Sequence, residues 1–126
     1  MPGYPSHFLV RFTVKIQVGD PVQCWPWIGA ISNSGKCRSQ YGAFQEGGRG
    51  SRIWRAHRLS LLLATLPEDL RGDELLSWIY LADLAHADLE AAHQCDTPIC
   101  CNPQHLEWEP HDLNVQFQWW RQRRIE

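Results

Sequence analysis

No stretch of this chain stays apolar for long. Leu61–Ala64 is typical of its hydrophobic runs, and none approaches the about 20 residues of a bilayer-spanning helix. The opening residues, MPGYPSHFLVRFTV, lack the basic region and continuous apolar run of a secretory signal. No internal repeat and no low-complexity tract is present, and an apolar fraction of 44% excludes wholesale disorder. An even cysteine count is missing as well. There are five, two of them adjacent at Cys100 and Cys101, so a disulfide framework would leave one unpaired. Metal-bound or free thiols in an intracellular, non-secreted protein are expected instead. At 126 residues the chain is expected to form one domain, which buries about two thirds of its extended surface around a modest core.

Lysine is scarce, two against ten arginines, and the net charge is only −2. That sum hides segregation. Residues 49–58, RGSRIWRAHR, hold Arg49, Arg52, Arg55 and Arg58 with no acid, and RQRR at 121–124 adds Arg121, Arg123 and Arg124. Residues 68–90 hold seven of the fourteen acids and a single arginine, Arg71. Two arginine patches suit bidentate phosphate contacts, and the acidic stretch suits a face turned away from them.

Residues 8–18 alternate, with Val10, Phe12, Val14, Ile16 and Val18 on one face, which predicts a half-buried strand. CWPWIGAI at 24–31 predicts a second strand, with Pro26 at an edge or bulge. Tyr41–Phe44 and Arg52–Trp54 read as short strands around the glycine-rich turn at 47–50. Arg55–Thr65 reads as a helix stopped by Pro67, and residues 73–90 as a helix with Asp73 and Glu74 at its start. Leu106 and Trp108 share one face of a short strand, and a final helix follows from His111. Trp25, Trp27, Trp54 and Trp108 are expected in the core. Trp119 and Trp120 suit either the core or a contact surface, and His57 is expected to be a structural histidine.

The densest chemistry lies in HQCDTPICCNPQHLEWEPHDLN, residues 93–114. Thiolates and imidazoles at this spacing are a zinc signal. The spacing excludes a two-Cys two-His finger, whose second Cys and first His lie about twelve residues apart. It also excludes the deaminase pattern, because Gln94-Cys95 follows His93 and Cys100 lacks a C-x-x-C partner. Cys95, Cys100 and His105 form a local trio in want of a fourth ligand. Cys24, Cys37, His93 and His111 are the candidates, and Cys101 is a further fallback.

His93-Gln94-Cys95, Cys100-Cys101-Asn102-Pro103-Gln104-His105-Leu106 and Asn114 together resemble the His-Cys box homing endonucleases. These are a zinc-bearing branch of the ββα-metal, or His-Me finger, nucleases. The layout Cys24-Trp25-Pro26-Trp27-Ile28-Gly29, Tyr41-Gly42, Ala56-His57-Arg58 is also similar to small HNH-type endonucleases, so the resemblance runs from about residue 24 onward. Their second zinc cluster and dimer-forming extension have no counterpart within these 126 residues.

The resemblance implies an α+β fold, with an N-terminal antiparallel β-sheet, a zinc-stapled ββα-metal motif and a C-terminal helix. Residues 1–66 would be a β-rich DNA-contacting part, 67–90 an acidic helical insert and 91–124 the zinc motif. It implies Mg-dependent hydrolysis of double-stranded DNA, with His93 as general base and Asn114 as magnesium ligand. Arg52, or alternatively Arg55, would contact the phosphate, and His111 or Asp112 could add a second metal ligand. Structural zinc would sit on Cys24, Cys95, Cys100 and His105. Arg49, Arg55, Arg58, Arg121, Arg123 and Arg124 would touch DNA, in a nuclear or nucleoid setting and as a possible homodimer. The alternatives are a zinc-stapled DNA-binding module without catalysis and an interaction domain that docks through its acidic segment.

Overall fold

Phe8 and Phe12 decide the N-terminal element. The computed structural model describes residues 4–32, 41–70, 72–95 and 97–111. In it Tyr4–Thr13 form helix α1, not the strand that the alternation at 8–18 predicts. Within that even-numbered series lies a second spacing, of four. Phe8 and Phe12 are 1% exposed and Ile16 packs on the core, whereas Val10, Val14 and Val18 stand out at 59%, 61% and 63%. Two aromatic rings one helical turn apart bury more surface than β-branched preference offers, and packing overrides propensity. Both rings meet Phe44 edge-on, with centroids 5.4 and 5.1 Å away, and Trp27 meets it at 6.0 Å. Of the expected N-terminal strand, one β-bridge remains, Ile16 to Trp27.

The first sheet has three antiparallel strands in the order β1 (Ile31–Ser32), β2 (Tyr41–Gln45), β3 (Ile53–Arg55), with Phe44 opposite Trp54. Gly42 makes its packing possible. A Cβ there would lie 2.5 Å from Trp27 and 2.8 Å from Ala56, so a side chain would push the strand off the core. The predicted strand at 24–31 is reduced to bridges, because Pro26 has no N–H to extend a ladder. Pro26 bridges Cys100, and the Cys101 amide donates to the Trp25 carbonyl at 2.8 Å.

Helix α2 (Ala56–Ala64) follows β3 directly and buries Ala56, His57, Leu59, Ser60, Leu61 and Leu62. Helix α3 (Gly72–Ala85) turns Leu75 and Ile79 to the core and leaves Trp78, Leu81 and Leu84 exposed. It is shorter than the sequence suggests, since Glu90 already belongs to β4 (Glu90–His93). Strand β4 pairs antiparallel with β5 (Leu106–Glu109), with His93 opposite Leu106. A single 3-10 turn, Pro103–His105, leads into β5. The protein is therefore a mixed α/β fold with two antiparallel β units, and α2 packs against strands of both. Among the described residues no helix is long and apolar enough to cross a membrane.

Candidate metal centre and histidine pair

Four side chains converge where the 24–27 segment meets the loop after β4. The ligand atoms of Cys24, Cys95, Cys100 and His105 all lie within 4.8 Å of one another. His105 Nδ1 is 3.5 Å from the Sγ of both Cys24 and Cys100. Bonds of about 2.3 Å to sulfur and about 2.0 Å to nitrogen, arranged tetrahedrally, require ligand separations of about 3.5–3.8 Å, so the set fits a metal ion such as zinc.

The orientation of His105 supports the same fit. Its Nε2 lies 3.0 Å from the Val22 carbonyl, which can only accept, so Nε2 carries the proton and the Nδ1 lone pair faces the thiols. Asn102, fully buried, donates to the carbonyls of Pro21 and Gln23 at 2.8 and 2.6 Å and accepts from the Gln104 amide at 3.0 Å. It ties the Cys24 approach to the turn that carries His105. Only the turn-forming Asn-Pro pair hinted at this in the sequence.

The thiols divide. Burial pushes Cys24 up, but contacts from Cys100, His105, Cys95 and Thr97 outweigh it and hold the thiol down to about 7. Burial raises Cys95 and pushes Cys100 up to about 12. A bound cation would favour the thiolate form of all three, because metal ligation requires deprotonated cysteine. Cys101 is buried, pushed up to about 12 by burial and by Cys100, and stands outside the cluster. His111 is also elsewhere, 2.9 Å from Glu90 Oε1. Cys37 lies outside the described residues.

His93 ends β4 two residues before Cys95 and is half-buried. Its Nε2 donates to the Cys100 carbonyl at 3.0 Å, which makes Nδ1 the acceptor nitrogen. Its ring centroid is 4.4 Å from that of His57 on α2. Tyr41 packs edge-on to His57 at 6.1 Å, and the Arg55 guanidinium covers Tyr41 at 4.6 Å. Arg55, Tyr41, His57 and His93 thus form one continuous run of rings and charge beside the metal cluster. The sequence favours a structural role for His57. The A-H-R motif opening a helix gave no sign of its neighbour on β4.

The other arginines divide as well. Arg52 stacks on Trp54 at 3.7 Å and pairs with Asp83 at 2.7 Å. Arg58, expected on DNA, is spent inside the fold. It pairs with Asp83 at 2.8 Å, donates to the carbonyls of Leu89 and His86, and lies over Trp108. Arg49 is exposed in the β2–β3 turn. Asp112, Asn114, Trp119, Trp120, Arg121, Arg123 and Arg124 lie outside the described residues. Trp27 and Trp54 are core, as expected, while Trp25 and Trp108 are only partly buried. Comparison of the chain with protein-family models, curated proteins and solved structures finds no match.

Proposed function

We propose that this protein is a metal-dependent DNA endonuclease in which a structural zinc on Cys24, Cys95, Cys100 and His105 sets the catalytic loop. The observation that carries the reading is His93. A half-buried imidazole, its Nε2–H held by the carbonyl of a zinc ligand, offers Nδ1 as base within a surface that also presents Arg55.

Hydrolysis then proceeds by simple bookkeeping. His93 Nδ1 accepts a proton from water as the water oxygen bonds to phosphorus, and the bond to the 3′ oxygen breaks. Arg55 grips the phosphate. It takes precedence over Arg52, whose guanidinium is held by Trp54 and Asp83. Magnesium, held by Asn114, would supply charge neutralisation at the phosphate and the leaving oxygen. Arg49 and the arginines at 121–124 contribute sequence-independent backbone contacts. Cutting both strands at one site asks for two protomers related by a twofold axis, so a homodimer forms part of the proposal.

The test is cleavage of supercoiled plasmid with magnesium, with and without EDTA, beside His93→Ala and Asn114→Ala. Magnesium-dependent nicking or linearisation is expected, lost in both variants at unchanged zinc content. DNA binding without cleavage would favour the catalytically silent binding module. Absence of DNA binding even at low salt would favour the interaction domain.

A further inference from the structure

Arg55 is the last residue of β3 and stands opposite Ala43 on β2. Tyr41, two residues along β2, is therefore its diagonal neighbour on the same face of the sheet, within reach of a long side chain. The alternation of burial identifies that face. Gly42, Phe44 and Trp54 are buried, so Tyr41, Ala43 and Arg55 share the more open side. Ala43 places only a methyl group there. The Arg55 guanidinium lies over the Tyr41 ring, 4.6 Å from its centroid, and the ring is itself packed against His57 at 6.1 Å.

Among the described residues the Arg55 side chain makes no hydrogen bond or ion pair, in contrast to Arg52 and Arg58, which share Asp83. A cation held on a ring spends none of its N–H groups on the contact. The five donors of the Arg55 fork therefore stay open to an anion. An exposed arginine loses rotamer freedom when it grips a phosphate, and a ring that holds it beforehand removes part of that loss. We propose that Tyr41 is a positioning residue for Arg55: its ring holds the guanidinium in place before the phosphate arrives. The proposal rests on the reading of Arg55 as the phosphate ligand.

The experiment compares the zinc-loaded full chain with Tyr41→Phe and Tyr41→Leu, each also in an Arg55→Ala background. Phenylalanine keeps the ring face, and leucine removes it. In proton–nitrogen NMR the Arg55 Nε–H should show a ring-current upfield shift in the parent and in Tyr41→Phe, lost in Tyr41→Leu. Affinity for a short DNA duplex, measured without added magnesium, should fall about 2- to 5-fold in Tyr41→Leu and stay at the parent level in Tyr41→Phe. With Arg55→Ala already present, Tyr41→Leu should change affinity no further. Equal affinity of the leucine and phenylalanine variants, an undiminished leucine effect without Arg55, or an unshifted Arg55 Nε–H in the parent would each overturn the proposal. The parent spectrum decides even if Tyr41→Leu does not fold. If the parent binds no duplex, the endonuclease reading fails, while the Arg55 shift still decides whether Tyr41 holds that side chain.

Discussion

Asp83 and Arg58 meet at 2.8 Å, and the other carboxylate oxygen of Asp83 holds Arg52 at 2.7 Å. One carboxylate of the acidic segment, Asp83, therefore pairs with two arginines of the basic segment, which are separate from it in sequence. Both arginines hold the Asp83 carboxyl below its usual range, although burial pulls it the other way. Of the four arginines between 49 and 58, this leaves Arg49 and Arg55 as those not paired with Asp83.

That division sets different outcomes for neighbouring substitutions. Arg55→Ala should lower cleavage by about 100-fold while leaving the melting temperature nearly unchanged, because its exposed side chain lacks the Asp83 ion pair that Arg52 makes. Arg52→Ala should instead cost about 1–2 kcal/mol of stability through the lost ion pair and the lost stacking on Trp54. Parallel plasmid-cleavage rates and thermal melts distinguish the two. The assignment fails if Arg52→Ala is the variant that loses activity at full stability.

Metal content gives the next expectation. One equivalent of zinc should co-purify with the chain. Cys24→Ser, Cys95→Ser, Cys100→Ser and His105→Ala should each bring it below half an equivalent and loosen the fold, since site formation and folding are coupled. Cys101→Ser should keep its zinc, because that thiol stands outside the cluster. Elemental analysis of protein purified without chelator reads both results. Zinc retained by Cys24→Ser would remove Cys24 from the set.

Much of this candidate centre was legible in the sequence, because Cys95, Cys100 and His105 sit five residues apart, while Cys24 was singled out among the possible fourth ligands only by the resemblance to His-Cys box and HNH-type endonucleases. Helix α2, the β2–β3 hairpin and β5 were legible for the same reason, since each is set by short-range pattern and turn chemistry. What stayed hidden depends on long-range contact. The alternation at 8–18 concealed the spacing-of-four pair Phe8 and Phe12, and only Phe44 and Trp27 on other elements decide which period wins. Arg58 looked like a phosphate ligand until Asp83 was brought beside it. The A-H-R motif gave no sign that β4 places the His93 ring against His57.

His57 also gives the fold a pH dependence. Its folded value of about 3 lies below the ordinary 6.5, so the unfolded chain takes up the proton first as pH falls. The stability tied to its neutral form is complete above about pH 6.5. It declines by about 1.4 kcal/mol per pH unit on acidification, down to the folded value. Between pH 7 and pH 5, His57→Phe should therefore gain about 2 kcal/mol relative to the parent in urea unfolding. Titration of the Cys24, Cys95, Cys100 and His105 cluster is common to both proteins and cancels. Parallel stability curves would show that His57 does not titrate on unfolding.

Cys24 and His105 stand 81 positions apart, yet their ligand atoms are 3.5 Å from each other. A metal ion shared between them would work as a clasp on a long loop that contains the first sheet, α2 and α3. A single proteolytic cut between α2 and α3 would then leave two chains that travel as one. On gel filtration the nicked protein should elute as the intact molecule and separate into two pieces once a strong chelator opens the clasp. The lifetime of the nicked assembly would thus be governed by how long the metal stays bound, rather than by the strength of any peptide bond in the loop.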